Sequence, residues 1–150
     1  MGCDIHSRAE KCVNGKWLVI PGFEPFDWRS YGMYGFLADV RNYSAVPPLS
    51  QPRGLPNDAP PDEEEGIWLG DHSFSRLSLK ELTAFNYDQP LEDRRYTRQE
   101  APNYFNGAAT AEPGNGKMTT YREFLGEAFF KDLQRLREMG AERVVFGFDS

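Results

Sequence analysis

The dipeptide Asn14-Gly15 constrains the fold more than any other feature of the chain. A two-residue type I′ hairpin turn needs positive φ at both central positions, and Asn-Gly supplies them; Trp17, Leu18, Val19 and Ile20 then give the return arm its β-propensity. The first twenty residues therefore read as an antiparallel hairpin, and an all-helical fold is excluded. In the outgoing arm, period-two alternation puts Cys3, Ile5 and Ala9 on one face and Asp4, His6 and Arg8 on the other.

Beyond the hairpin, Pro21, Gly22 and Pro25 break the strand. Ser30 is placed to cap a short helix through Val40, with Tyr34, Leu37, Ala38 and Arg41 on or near one face, although Gly32 and Gly35 weaken its start. Six of the eleven prolines, at 47, 48, 52, 56, 60 and 61, are followed by Asp62-Glu63-Glu64-Glu65. This marks a Pro-rich acidic loop at about 43–66, with Arg53 to Asp58 ordered and Pro60 to Glu65 a mobile tip. Ser78 and Glu81 form a capping box opening a helix to about Tyr87, while 88–118 has no clear period and reads as surface, with a short strand or turn near Arg94 to Arg98. Thr120 and Glu123 suggest a second capping box. Phe124, Leu125, Ala128, Phe129, Leu133, Leu136 and Met139 keep a 3.6-residue period and predict one long helix over 121–139, ended by Gly140. Arg143 to Asp149 reads as a buried strand, with Val144, Phe146 and Phe148 on one face and Val145 on the other. The order predicts a single α+β domain: a small, mainly antiparallel sheet that includes the hairpin and the C-terminal strand, packed against the long helix and two short ones.

Composition narrows the partners. A chain of 150 residues suits one domain, and an aromatic share of 14% offsets a hydrophobic content of only 39%. With 17 basic and 23 acidic residues the net charge is −6, so no phosphate-tracking basic face is expected and nucleic acid is not an expected partner. No apolar run approaches the roughly 20 residues that span a bilayer, and MGCDIHSRAE lacks an apolar signal region, so no membrane association is expected. Cys3 and Cys12 make no disulfide framework and suit a reducing cytoplasm.

Three segments carry residues suited to chemistry. Asp4 and His6 share a strand face two residues apart, where a carboxylate can orient an imidazole. Asp71-His72-Ser73-Phe74-Ser75 stands ahead of a helix start, where backbone N–H groups and hydroxyls favour an anion. Arg53-Gly54-Leu55-Pro56-Asn57-Asp58 joins a guanidinium, a flexible glycine, a rigid proline and a carboxylate, the parts of an ordered binding loop. Arg41 and Asp149, at the ends of a helix and a strand, complete the set. Each segment also has a plain structural reading, as an edge-strand face, a helix cap and a polar turn respectively.

Sharper templates fail. Zinc on Cys3, His6 and Cys12 is opposed by alternation, which turns Cys3 away from His6 and makes it a core residue. His6-Ser7-Arg8 and His72-Ser73-Phe74 both miss the third position of a two-histidine phosphoesterase, and no phosphate loop, dinucleotide fingerprint, nucleophile elbow or zinc-protease helix occurs.

Met1-Gly2-Cys3-Asp4-Ile5-His6 resembles the opening of a family of small proteins encoded in bacteriophage and prophage genomes. The resemblance extends to Tyr34–Asn42 (YGFLADVRN), Arg53–Asp58 (RGLPND), Asp71–Leu82 (DHSFSRLSLKEL) and Arg143–Asp149 (RVVFGFD), about a quarter of the chain in matching order. It departs at Arg76, where an aromatic residue is expected. The resemblance implies a bacterial host cytoplasm and a role against host defence, by sequestering or cleaving a nucleotide signal.

The expectation is thus a protein that captures a small, nucleotide-like anion in a pocket bounded by Asp4, His6, Arg41, Arg53, Asp58, His72, Ser73 and Ser75, with Tyr34 or Trp68 stacking on a base. Under this reading no cofactor is expected, and self-association into a homo-oligomer is left open. The alternative is a hydrolase in which Asp4, His6, Asp58 and His72 hold a divalent metal against a phosphoester, with Asp4, His6 and His72 as the catalytic candidates. A third reading is a protein-interaction module using the acidic run 62–65.

Overall fold

The computed structural model describes residues 2–58, 68–98 and 111–150. The fold is α+β, as expected, and the chain divides into two compact units: Met1–Arg29, Pro52–Phe85 and Ala128–Ser150 form the first, Ser30–Gln51 and Asn86–Glu127 the second. The expected acidic tip at 60–65 lies outside the described residues.

The first unit is built on a four-stranded antiparallel sheet in the order β2-β1-β6-β3, from β1 (Asp4–Val13), β2 (Lys16–Ile20), β3 (His72–Ser78) and β6 (Arg143–Asp149). Asn14 and Gly15 have φ of 51° and 79°, the two positive values that the hairpin turn requires. The terminal strands are neighbours, with Asp4 opposite Asp149 and Glu10 opposite Arg143.

One face of the sheet is apolar. Cys3, Ile5 and Ala9 are buried with Val144, Phe146, Phe148 and Leu77, as the alternation predicted. Over it, the Ser7 hydroxyl donates to the Pro25 carbonyl, and the Phe26 ring stacks on Phe129, centroids 4.7 Å apart. The other face is polar: Arg8 and Glu10 are fully buried on it, while Asp4 and His6 at its end are partly exposed.

His72 to Ser78, read from sequence as the approach to a helix, is itself an edge strand, bulged between His72 and Ser75 with Ser73 at φ 55°. The short helix Leu79–Ala84 follows, with both halves of the capping box present: Glu81 N–H donates to Ser78 Oγ, and Ser78 N–H to the Glu81 carboxylate. It ends sooner than the expected Tyr87.

In the second unit, α1 (Tyr31–Ala38) starts at Ser30, whose hydroxyl accepts from Met33 N–H, and is buried almost all round. With the helix Leu79–Ala84 as α2, the remaining elements here are the hairpin strands β4 (Pro90–Thr97) and β5 (Gly116–Thr120) and the short helix α3 (Tyr121–Leu125). Phe36 packs between the rings of Tyr87 and Tyr121, 5.9 and 5.7 Å away. Burial pushes the Tyr87 phenol far above its ordinary value.

The long helix expected over 121–139 is two helices, α3 and α4 (Glu127–Glu138). Gly126, at φ 84° and ψ 168°, is the break. The apolar period runs through it unchanged, so periodicity could not reveal it. Thr120 caps α3 by accepting from Glu123 N–H, but the Glu123 carboxylate accepts from Thr119 rather than closing the box. Gly140 ends α4 as expected: its N–H reaches the Arg137 carbonyl and Ala141 N–H reaches Leu136, the paired bonds of a Schellman motif.

Candidate functional site

The polar residues of the N-terminal hexapeptide act at one end of the sheet in the first unit. Gly2 carries no Cβ, and the Arg29 guanidinium lies where one would be, 2.4 Å from that position. Arg29 then grips Asp4 with two bonds of 2.9 Å, an exposed pair that holds the Asp4 carboxyl below its ordinary range. Two residues on, His6 Nε2 meets Asp149 Oδ2 at 2.5 Å, with both side chains about one-quarter exposed. A carboxylate only accepts, so it fixes the proton on Nε2 and leaves Nδ1 facing elsewhere. Among the described residues, Nδ1 makes no hydrogen bond.

Gly147 stands opposite His6 in the register, and its missing side chain matters. A Cβ there would fall 2.1 Å from the Leu69 carbonyl oxygen, so only glycine lets residues 69–71 cross β6 at this level. Gly70, at φ 88°, makes the same approach to the Phe148 backbone, and Asp71 N–H donates to the Phe148 carbonyl. This crossing lays the Trp68 indole on His6, ring centroids 4.7 Å apart, while Trp68 itself stays 60% exposed. The result is a shelf: an exposed aromatic plane, a carboxylate-held imidazole and a half-exposed arginine.

The other expected residues are placed elsewhere. His72 sits opposite Phe148 rather than Gly147, so by register it shares the face opposite to that of His6. Its two ring nitrogens meet Ser73 Oγ (2.9 Å) and Ser150 Oγ (2.8 Å), and its ring stacks on Phe148. Ser75 is fully buried and its hydroxyl accepts from Arg53 N–H. Neither serine lies at a helix start, because the strand continues to Ser78. Tyr34 is fully buried, which removes it as a platform for a base. Arg41 belongs to the second unit, where its guanidinium lies over the Tyr31 ring at 5.4 Å.

The Arg53–Asp58 segment, expected as a binding loop, is a strap. Arg53 is bidentate to Glu81 at 2.6 and 2.9 Å, and Gly54 N–H donates to the Phe74 carbonyl. Arg76 donates to the carbonyls of Arg53, Gly54 and Leu55. Asp58 closes the strap on Arg143 at 3.0 Å. Arg143 lies six residues along β6 from Asp149, about 20 Å at strand rise, so Asp58 is far from the His6 shelf. Among the described residues, no group of three or more His, Cys, Asp or Glu is placed to hold a metal ion.

Sequence reading missed Arg29. Its partnership with Gly2 and Asp4 joins a loop to a strand start, and no local pattern announces that. Trp68 and Asp149 were among the expected residues, but not their meeting with His6, although the glycines at 70 and 147 mark where two backbones meet.

Fold and site together define an α+β protein with an aromatic and imidazole shelf at the end of an antiparallel sheet. Compared with protein families, curated proteins and solved structures, the chain matches none. Among the described residues no helix is long and apolar enough to cross a membrane.

Proposed function

We propose that the protein captures a small polar ligand carrying a planar ring and an anionic group, nucleotide-like in chemistry, on the shelf formed by Trp68, His6, Asp149 and Arg29. The carrying observation is the exposed Trp68 plane seated on an imidazole that Asp149 orients. An exposed indole left at a polar site is a stacking platform, and base stacking on an aromatic side chain contributes about 1–3 kcal/mol. Arg29, half-exposed, meets anionic oxygens by exchanging its bonds to Asp4 for bonds to the ligand, and the polar edge of the ring finds His6 Nδ1. The bacteriophage resemblance supports a nucleotide signal of the host as the ligand and counter-defence as the setting.

A second reading is hydrolysis of the captured ligand. The 2.5 Å pair of His6 and Asp149 favours it, because an imidazole held by a carboxylate is the usual general base, with Nδ1 as the basic atom in its neutral form. One experiment separates the two. The protein is incubated with a mixture of nucleoside mono- and diphosphates and cyclic nucleotides, washed, denatured, and its released small molecules identified. Intact ligand supports capture and a cleaved product supports hydrolysis; recovery of neither, with the mixture unchanged, contradicts both.

A further inference from the structure

The polar face of the sheet carries a buried charge cluster separate from the His6 shelf. Arg8 and Glu10 are fully buried, and Arg8 Nε donates to Glu10 Oε2 at 2.6 Å. Arg143, one-tenth exposed, donates through Nε to Glu10 Oε1 at 2.7 Å. Two guanidinium groups thus share the Glu10 carboxylate. Buried charge is costly unless balanced, and Arg143 has a second anion beside it.

That anion is Asp58, whose Oδ1 accepts from Arg143 Nη1 at 3.0 Å. It differs from the rest of the cluster in being exposed: 63% of its side chain is open to solvent. It is carried at the end of the strap, not by a strand. Beside it the Arg143 guanidinium carbon lies over the Trp17 ring, 3.7 Å from its centroid. Arg143 Nη2 is buried and has no hydrogen-bond partner among the described residues. A monodentate carboxylate leaves that donor unfilled, whereas an oxyanion with several oxygens can reach both nitrogens.

We propose that Arg143, backed by Trp17 and Glu10, is an oxyanion-binding site that Asp58 occupies in cis, and that a free phosphate or carboxylate group takes the place when Asp58 withdraws. The site is specific for a compact anion because the Trp17 ring closes one side of the guanidinium and the buried Glu10 fixes Nε. Its ligand competes with Asp58 alone, so occupancy frees Asp58 from β6 while Arg53 to Leu55 stay tied to Glu81, Phe74 and Arg76. The proposal does not depend on ligand capture at the His6 shelf.

The test is replacement of the cis anion. Asp58→Ala and Asp58→Asn are melted beside the wild type in sodium chloride and in inorganic phosphate at equal ionic strength, with acetate as a third arm. Both variants are expected to melt lower than the wild type in chloride and to recover saturably in phosphate, by about 5 °C, while the wild type moves little. Tryptophan fluorescence should change along the same saturation curve, since Trp17 lines the site. Recovery by phosphate but not acetate assigns the site to phosphate, and recovery by both assigns it to oxyanions in general. Equal phosphate responses in wild type and variants, the absence of any response, or failure of both variants to fold in all three salts would overturn the proposal.

Discussion

His6 Nε2 and Asp149 Oδ2 stand 2.5 Å apart although 143 positions separate them in the chain. The contact exists because the first and last strands are neighbours, with Asp4 opposite Asp149, and because Gly147 opposite His6 leaves that level of the sheet open. The same pair orients the imidazole on which Trp68 rests, so the site is a product of the topology.

The two histidines should separate in mutagenesis. His6→Gln is expected to weaken ligand capture at least tenfold, about 1.4 kcal/mol, with little change in melting temperature, since the ring is partly exposed. His72→Ala should leave capture within about twofold but cost on the order of 1 kcal/mol of stability, because its ring is hydrogen-bonded on both nitrogens and stacked on Phe148. Equilibrium dialysis and thermal melts on both variants check the pair; capture lost in His72→Ala and kept in His6→Gln would reverse the assignment.

Gly147→Ala should be among the most damaging single-methyl changes in the chain. The added Cβ would meet the Leu69 carbonyl oxygen at 2.1 Å and the Phe74 ring at 2.7 Å, and the oxygen belongs to backbone. A loss of about 2–4 kcal/mol is expected from overpacking, read in denaturant melts. Trp68 fluorescence should shift as well, since the crossing that seats it on His6 is displaced.

The buried cluster gives a third outcome. Glu10→Gln leaves two buried guanidinium groups facing a neutral amide, and a destabilisation of about 3–5 kcal/mol is expected from urea melts. A loss below about 1 kcal/mol would mean that water already reaches the cluster.

The strap pair predicts a pH dependence. The Arg53 guanidinium holds the Glu81 carboxyl below its ordinary 4.5, with backbone donation at Ser78 adding to it. A carboxyl depressed in the folded state contributes stability above its unfolded value, and that contribution is lost as pH falls through the folded value. Arg53→Met should therefore melt below the wild type at pH 7 by the equivalent of about 0.5–1 kcal/mol, a range that allows for the partial exposure of both side chains. The difference should close once the pH is below the folded value.

Much of this fold was legible in the sequence because it rests on local rules. Asn14-Gly15 made the hairpin, Ser78 with Glu81 capped α2, and Gly140 ended α4. The misreadings have physical causes. Gly126 breaks a helix without disturbing its apolar period. His72 to Ser78 resembles a helix approach only because its bulge hides the strand alternation. The site was largely legible: alternation pointed to Asp4 and His6, Trp68 was a stacking candidate and Asp149 a candidate at its strand end, whereas Arg29 and the pairing of these residues arise only across the fold. The Arg53–Asp58 loop has the parts of a binding loop, but its arginine and carboxylate are bound to Glu81 and Arg143.

Ligand capture on the His6 shelf is read by titrating the isotope-labelled protein with nucleotides and following the His6 ring nitrogens and the Trp68 indole N–H by NMR. Both sets of signals are expected to move together along one saturation curve, with those of His72 nearly still. Ligand bound with the His6 and Trp68 signals unmoved would contradict capture there, as would saturating shifts centred on His72.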